Sequence, residues 1–388
     1  MKECGHLQIY TLRLTTVGPL FIGAGRKYSK VDYTLNRYAT TMYILDERRL
    51  ARMLVERDLV DMYESYITGT PTQQLDMYYF LTRLCGLKQS EIDPLVRYHA
   101  ATGGQTGDRH AVEVDQFVKN AYGEIYIPGS SVKGALRTAL LTEMILSRPT
   151  PPERRREWPQ GLTGRSLDRA MDAAAQQIES DYLHTLQFED RQHRLRREDA
   201  VNSLMRGVMI ADSAPLQSDQ LTLGRKIDVA PSGYSASPNL IRECIQPGQT
   251  IELTLTLDQS VLKGGITGES LMKTFKTWTA FYSEVYLSHF KALPRSAAAV
   301  KYDGKAGLLL GGGGGFFSKT ITYPYYRNGD EEYPYDEALG YVIGLLKAKF
   351  PMIPRERDGK SGIAPAMVKY VETNGRCYPM GWCEVSLS

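Results

Sequence analysis

Ile125-Tyr126-Ile127-Pro128-Gly129-Ser130-Ser131-Val132-Lys133-Gly134-Ala135-Leu136-Arg137 reads as a strand that stops at proline and glycine and hands over at once to a helix. Val132, Leu136, Ala139, Leu140 and Met144 recur on one face, so a helix is expected over residues 132–146 with that face against a sheet. A helix that starts so abruptly offers unpaired backbone N–H groups and the positive end of its dipole, a natural seat for phosphate. Ser130 or Ser131 is expected to cap it. Lys133 and Arg137 lie four apart, on the side away from Leu136 and Leu140, and Gly134 keeps that side low enough for another backbone to approach. The plainer reading of the same residues is a capped core helix with two exposed cations.

Outward from this box the chain alternates between strand and helix. Leu7 to Val17 has the period of a half-buried strand, Gly18 to Gly25 breaks it, and Lys27 to Leu35 resumes extended structure. Residues 46 to about 87 turn helical, with a second helix expected after Pro71. Gly103 to Gly107 reads as loop, followed by extended segments Ala111 to Val118 and Glu124 to Ile127. Residues 148–197 form a charged, helical insertion, whose Arg154-Arg155-Arg156 is expected to be a solvated face rather than an RNA contact. Beyond it lie strands at 207–212, 221–229, 241–245 and 250–257, helices at 269–293 and 335–350, and a last strand at 382–385. The class is α+β. Two units are expected, residues 1–215 with helical insertions at about 46–100 and 148–197, and residues 216–388 carrying a glycine-rich loop.

Composition narrows the function classes. The chain has 388 residues, enough for two cores, and no apolar run near the roughly 18 residues of a membrane helix. Met1 to His6 shows no basic and apolar leader pattern, so a cytoplasmic protein without membrane association is expected. Five scattered cysteines, with no C-x-x-C pair, read as buried free thiols. A net charge of +3 excludes polyanion binding by bulk attraction and leaves room for a local basic groove. The 25 tyrosines supply core packing and faces on which unpaired bases can stack.

Two further glycine-rich stretches matter. Gly311-Gly312-Gly313-Gly314-Gly315, followed by Phe316-Phe317-Ser318-Lys319-Thr320, loses much conformational entropy if ordered, which suggests close backbone approach to a ligand. A flexible loop is the alternative. The stretch misses a P-loop because Ser318 stands where glycine is needed and because Ile321 to Tyr325 reads as β-like, not helical. Gly23-Ala24-Gly25-Arg26-Lys27 again sets glycines beside cations, with Asp32 shortly after. Asp32 has no companion at metal-ligand spacing and reads as a turn or strand aspartate. His110, between Arg109 and Ala111 and two residues from Asp108, is the one histidine in a general-base setting, though a loop histidine is the plainer reading.

Together these motifs, with Gly207 to Ser213 and the closing Tyr378-Pro379-Met380-Gly381-Trp382-Cys383, resemble the RAMP superfamily of CRISPR proteins, and within it the fifth subunit of type III-A (Csm) effectors. The resemblance implies ferredoxin-like, RRM-type units and a non-catalytic RNA-binding subunit that caps the effector backbone at the 3′ end of the guide RNA (crRNA) and supports guide maturation and antiviral defence. It implies guide RNA and adjoining Csm backbone subunits as partners, a recruited nuclease as a further one, and no cofactor or metal. The RNA-binding residues are then expected among Gly23, Gly25, Arg26, Lys27, Gly129, Ser130, Ser131, Lys133, Gly134, Arg137, Gly311, Gly312, Gly313, Gly314, Gly315 and Lys319. Two enzymatic alternatives stand beside this: a metal-dependent endoribonuclease using Asp32, and a P-loop-like NTPase using Lys319.

Overall fold

The computed structural model describes residues 1–106, 113–151, 155, 161–188, 196, 198–329, 334–353 and 356–388. The readings of Asp108, Arg109, His110, Arg154 and Arg156 lie outside the described residues. The chain opens with β1 (Lys2–Cys4), β2 (Leu7–Thr16), β3 (Gly23–Tyr28), β4 (Tyr33–Leu35) and β5 (Thr41–Leu45). Helices α1 (Glu47–Glu56) and α2 (Val60–Gly69) and short turns α3 (Met77–Tyr79) and α4 (Gln89–Ile92) lead to β6 (Val96–Ala101). β7 (Val114–Phe117) precedes the long helices α5 (Gly129–Ser147) and α6 (Gly164–Leu183). Next come β8 (Val208–Ile210), β9 (Leu221–Val229), β10 (Ser235–Ala236), β11 (Ile241–Ile245), β12 (Thr250–Asp258), α7 (Gln259–Leu262), α8 (Gly268–Phe281) and β13 (Gly307–Leu309). Helices α9 (Thr322–Tyr325), α10 (Asp336–Lys349) and α11 (Glu356–Ser361) and strands β14 (Val368–Thr373), β15 (Arg376–Pro379) and β16 (Trp382–Leu387) complete it.

The strands form two sheets. In the first, six strands run β13-β16-β2-β12-β8, with β1 along β2. Its antiparallel register sets Leu12 opposite Leu253 and Leu14 opposite Ile251, and period-two alternation buries these with Leu255 and Leu257. The intervening residues face outward, where Arg13 meets Glu252 at 2.7 Å. Helices α5 and α8 pack on one another and on this sheet. Thr267 and Ser270 cap α8 reciprocally, and Trp278 on its buried side stacks on Trp382 with ring centroids 6.2 Å apart.

The second sheet has ten strands, in the order β3-β7-β11-β9-β6-β5-β4, with β14 and β10 also on β9 and β15 on β14. Glu243 of β11 is fully buried in it. Its carboxylate accepts from Tyr98 Oη at 2.6 Å, Lys119 Nζ at 2.7 Å and the Phe117 N–H at 3.0 Å, and Tyr28 Oη lies 2.7 Å from Tyr98 Oη. Burial, then the Glu243 charge, pushes both tyrosine hydroxyls well above the usual phenol range, so they serve as donors. Residues 46–95 hang between the paired strands β5 and β6 and build a smaller core from Leu50, Met53, Leu54, Met77, Phe80 and Leu81.

Several sequence expectations change. Residue 215 does not separate the sheets. β2 and β8 share the first with β12, β13 and β16, while β3 to β7 share the second with β9, β11 and β14, because central strands need neighbours on both edges. Gly23 to Lys27 is itself an exposed edge strand instead of a turn before one. Ile321 to Tyr325 is not β-like: Thr322–Tyr325 is a short helix, which tolerates Pro324 in its first turn and buries Tyr323 and Tyr325. The helix starting near Glu269 ends at Phe281 in a π-turn, short of Leu293. Arg155 is neither a solvated cation nor open to RNA, since its side chain is 4% exposed, pairs with Glu337 at 2.7 Å and donates to the carbonyls of Thr150 and Arg327. Cys244, Cys377 and Cys383 are buried thiols, but Cys4 is exposed and Cys85 half-buried. Tyr28, Tyr33, Tyr282, Tyr286, Tyr323 and Tyr370 are among the tyrosines spent on core packing. Among the described residues no helix is long and apolar enough to cross a membrane.

Candidate nucleic-acid interface

The box helix α5 is held by contacts the sequence does not announce. Pro128 is the N-cap residue, and neither Ser130 nor Ser131 caps the helix with its side chain. Instead the Asp212 carboxylate accepts the Gly129 N–H at 2.8 Å, so a carboxylate of the chain itself already sits at the positive end of the dipole. Gly129 is a packing residue: a Cβ there would lie 2.1 Å from the Ile210 carbonyl oxygen. The lateral face fares differently. A Cβ on Gly134 would meet nothing within 4 Å, so the low surface between Lys133 and Arg137 is open. Burial lowers the Lys133 amine below the ordinary lysine value, and among the described residues it has no carboxylate partner. Arg137 pairs with Glu179 at 3.3 Å across a half-exposed contact of the weak surface kind. These residues line a cleft of about 470 Å³ with Ser130, His184, Ser203 and Arg206, the last stacked 5.0 Å from the Phe188 ring centre.

The glycine run opens in one tight turn, Gly311–Gly313, and a second, Phe317–Lys319, follows it, with positive φ at Gly311 (69°) and Gly315 (64°). The close approach expected of a ligand is made in part by the protein. The Gly312 N–H donates to the Phe21 carbonyl at 2.8 Å, and a Cβ at Gly311 would lie 1.9 Å from that same oxygen. At Gly313 it would lie 2.3 Å from Met380 Cγ. Ser318 bonds back to the Gly314 carbonyl at 2.5 Å and fills the inside of the turn, where a P-loop would leave room for phosphate. Past the run, Phe316, Lys319 and Thr320 line an apolar cleft of about 190 Å³, shared with Arg137 and Thr138 of α5, Ala175 and Ile178 of α6, and Tyr326 and Tyr341. The Thr320 hydroxyl there is buried with no hydrogen-bond partner among the described residues. Arg137 therefore belongs to both clefts, and one of them brings the box helix beside Phe316, Lys319 and Thr320, just past the glycine run.

The third motif is tied in across the second sheet. Gly23, Gly25, Arg26 and Lys27 are exposed on β3, and Lys27 pairs with Glu113 at 3.1 Å. Asp32 closes a local turn, its carboxylate accepting the Ser29 N–H at 2.6 Å and the Ser29 hydroxyl at 2.8 Å. Among the described residues no three or more His, Cys, Asp or Glu side chains converge as metal ligands would. Strand register aligns Lys27 with Asp115 and Asp115 with Arg242, so the three share one face. The Arg242 guanidinium lies 4.8 Å over the Phe21 ring and 3.2 Å from Met380 Sδ, the residues against which the glycine run packs. Sequence reasoning missed Arg206 and Arg242. The available signal for Arg242 was a cation inside the apolar strand Ile241-Arg242-Glu243-Cys244-Ile245.

Comparison with known proteins decides the lineage. A profile of the RAMP superfamily matches residues 13–349. The chain belongs to the RAMP superfamily. Among its relatives, the CRISPR-system protein Csm5 of Mycobacterium tuberculosis (strain ATCC 25618 / H37Rv) is 24% identical over 406 residues, covering 98% of each chain. Csm5 of Enterococcus italicus is 24% identical over 411 residues, covering 97% of this chain and 96% of its own. This RAMP chain also superposes on solved structures. One is a subunit of a Csm–crRNA–target RNA ternary complex of a type III-A CRISPR-Cas system (TM-score 0.60, 17% identity, 97% and 100% coverage). Another is a crystal structure of T. onnurineus Csm5 (TM-score 0.61, 19% identity, 96% and 99% coverage). At these identities the superpositions show a common fold.

Proposed function

We propose that this RAMP protein is a non-catalytic, RNA-binding structural subunit of a type III-A CRISPR effector, acting in the cytoplasm at the guide-RNA 3′ end of the backbone and supporting guide maturation in antiviral defence. Adjoining Csm subunits would be its protein partners, with any trimming of the guide left to a recruited nuclease. Support comes from the full-length relationship to Csm5 proteins. The observation that carries the RNA reading is the run of cations through Arg137: Lys133 and Arg206 beside it in one cleft, Lys319 in the other, with Glu179 the only carboxylate lining either cleft among the described residues. Such a row tracks a sugar–phosphate backbone, and Phe316 offers an aromatic face beside it. In the same reading β2–α5–β8–β12–α8–β16, with strand order β16-β2-β12-β8, is the ferredoxin-like unit, assembled from both halves of the chain.

The test is binding of a labelled single-stranded RNA by the purified chain across a salt series. Lys133→Ala with Arg137→Ala should weaken binding and flatten the log–log salt slope by about 0.7 per lost phosphate contact. Unchanged affinity and slope in a folded double variant reject the reading. RNA cleavage with magnesium or manganese that disappears in Asp32→Asn would replace it with the nuclease alternative.

A further inference from the structure

Three strands of the second sheet bring cations together under the glycine run at positions no motif marks. Arg242 of β11 and Lys369 of β14 lie against it, since a Cβ at Gly312 would lie 3.5 Å from Arg242 Nη1 and one at Gly315 would lie 3.5 Å from Lys369 Cε, and Lys226 of β9 stands beside Lys369. Their charges are incompletely matched. Lys226 pairs with Asp228 at 2.6 Å, Arg242 reaches Asp115 only at 3.6 Å, and among the described residues Lys369 has no ion-pair partner of its own. Asp115 is moreover shared with Lys27 across the register.

Two polar atoms in the cluster are buried with no hydrogen-bond partner among the described residues, Arg242 Nε and Asp228 Oδ1. The Lys226 and Arg242 side chains are only 11% and 13% exposed, so solvent screens them poorly. Lys369 registers the strain: burial first, then the Lys226 charge, lowers its amine below the ordinary lysine value, against a partial pull from Asp228. A half-buried group of like charges that its own carboxylates do not neutralise is stabilised by an incoming anion.

We propose that Lys226, Arg242 and Lys369, roofed by Gly312 and Gly315, form an anion site that takes one backbone phosphate of a single-stranded RNA. The inference rests on the RNA-binding reading above and extends it from the α5 clefts to the sheet. A polynucleotide fits better than a free small anion because the roof continues directly through Phe316 to Lys319 and the cleft shared with Arg137, so adjacent phosphates of one strand would have cations along the same path. With no side chain at Gly312 and Gly315, the roof adds no bulk over Arg242 and Lys369.

The experiment uses the full chain, a labelled oligouridylate and inorganic phosphate. Lys369→Met, checked for a cooperative thermal transition no lower than the parent's, should weaken RNA binding and lower the salt slope by about 0.7, additively with the Lys133→Ala/Arg137→Ala pair. In parallel, the Lys369 amine of the parent protein is acylated at neutral pH and followed by mass spectrometry. RNA should protect it at concentrations where inorganic phosphate does not. If RNA binds, and the α5 double variant loses it, while Lys369→Met binds normally and Lys369 stays reactive, the sheet site is refuted and the α5 reading survives. Protection by inorganic phosphate but not RNA overturns it in favour of a small-anion site. No RNA binding by the parent chain removes both.

Discussion

Arg242 and Glu243 are consecutive residues of one strand, and they meet opposite fates. Glu243 points into the sheet, where three donors satisfy its carboxylate. Arg242 points under the glycine run, where its Nε finds no hydrogen bond and its counter-ion stands off at 3.6 Å. A strand's period of two is enough to separate the two roles. The satisfied charge ties the neighbours of β11 together, whereas the incompletely paired one is the group that the proposed anion site uses. Completeness of hydrogen bonding thus separates the two residues where burial does not, since both side chains are largely covered.

The sharpest way to break this contrast is Glu243→Ala. It strands Lys119 in a poorly solvated site and should cost about 3–5 kcal/mol of unfolding free energy, read by urea denaturation. A loss below about 1 kcal/mol would mean that the network is not holding the sheet. Gly313→Ala probes the roof. Its new methyl would collide with Met380, a fully buried residue, and overpacking of this kind costs about 1–3 kcal/mol. Asp212→Ala removes the only carboxylate found at the α5 N-terminus among the described residues and should cost about 0.5–2 kcal/mol, the range for a lost N-cap, measured as a fall in thermal midpoint. The smallest effect belongs to Lys369. Because its folded-state value is lowered, the unfolded chain binds more protons between that value and about 10.4, and stability rises with pH across that window. Lys369→Met should therefore be slightly more stable than the parent at pH 7, by less than about 1 kcal/mol for a partly exposed group, and the advantage should shrink as the pH approaches 10. An advantage that grows with pH would contradict the sign.

Much of the secondary structure is legible in the sequence because periodicity is local. The alternation of Ile251, Leu253, Leu255 and Leu257 and the three-four spacing of Val132, Leu136 and Ala139 each declare an element without outside help. The path of the strands is not local. That β2 lies between β12 and β16 is settled by residues about 235 to 375 positions away, so a boundary near 215 drawn from the order of strands and helices divides the sequence without dividing the sheets. The site divides along similar lines. Lys133, Arg137 and Lys319 could be chosen by motif, and they do line adjoining clefts. The capping role of Asp212, the self-contacts of Gly311 and Gly313, and the grouping of Lys226, Arg242 and Lys369 arise from pairing between distant segments. No spacing rule reports them.

The placement of β16 also governs when the molecule can assemble. Leu12 and Leu14 leave the ribosome early, yet one side of their strand stays uncovered until the chain as far as Leu387 has been made. The partner on the other side, β12, arrives only after Thr250. For most of synthesis the stretch of β2 from Leu12 to Thr16 therefore lacks both of its final neighbours, whereas its first residues already have β1 beside them.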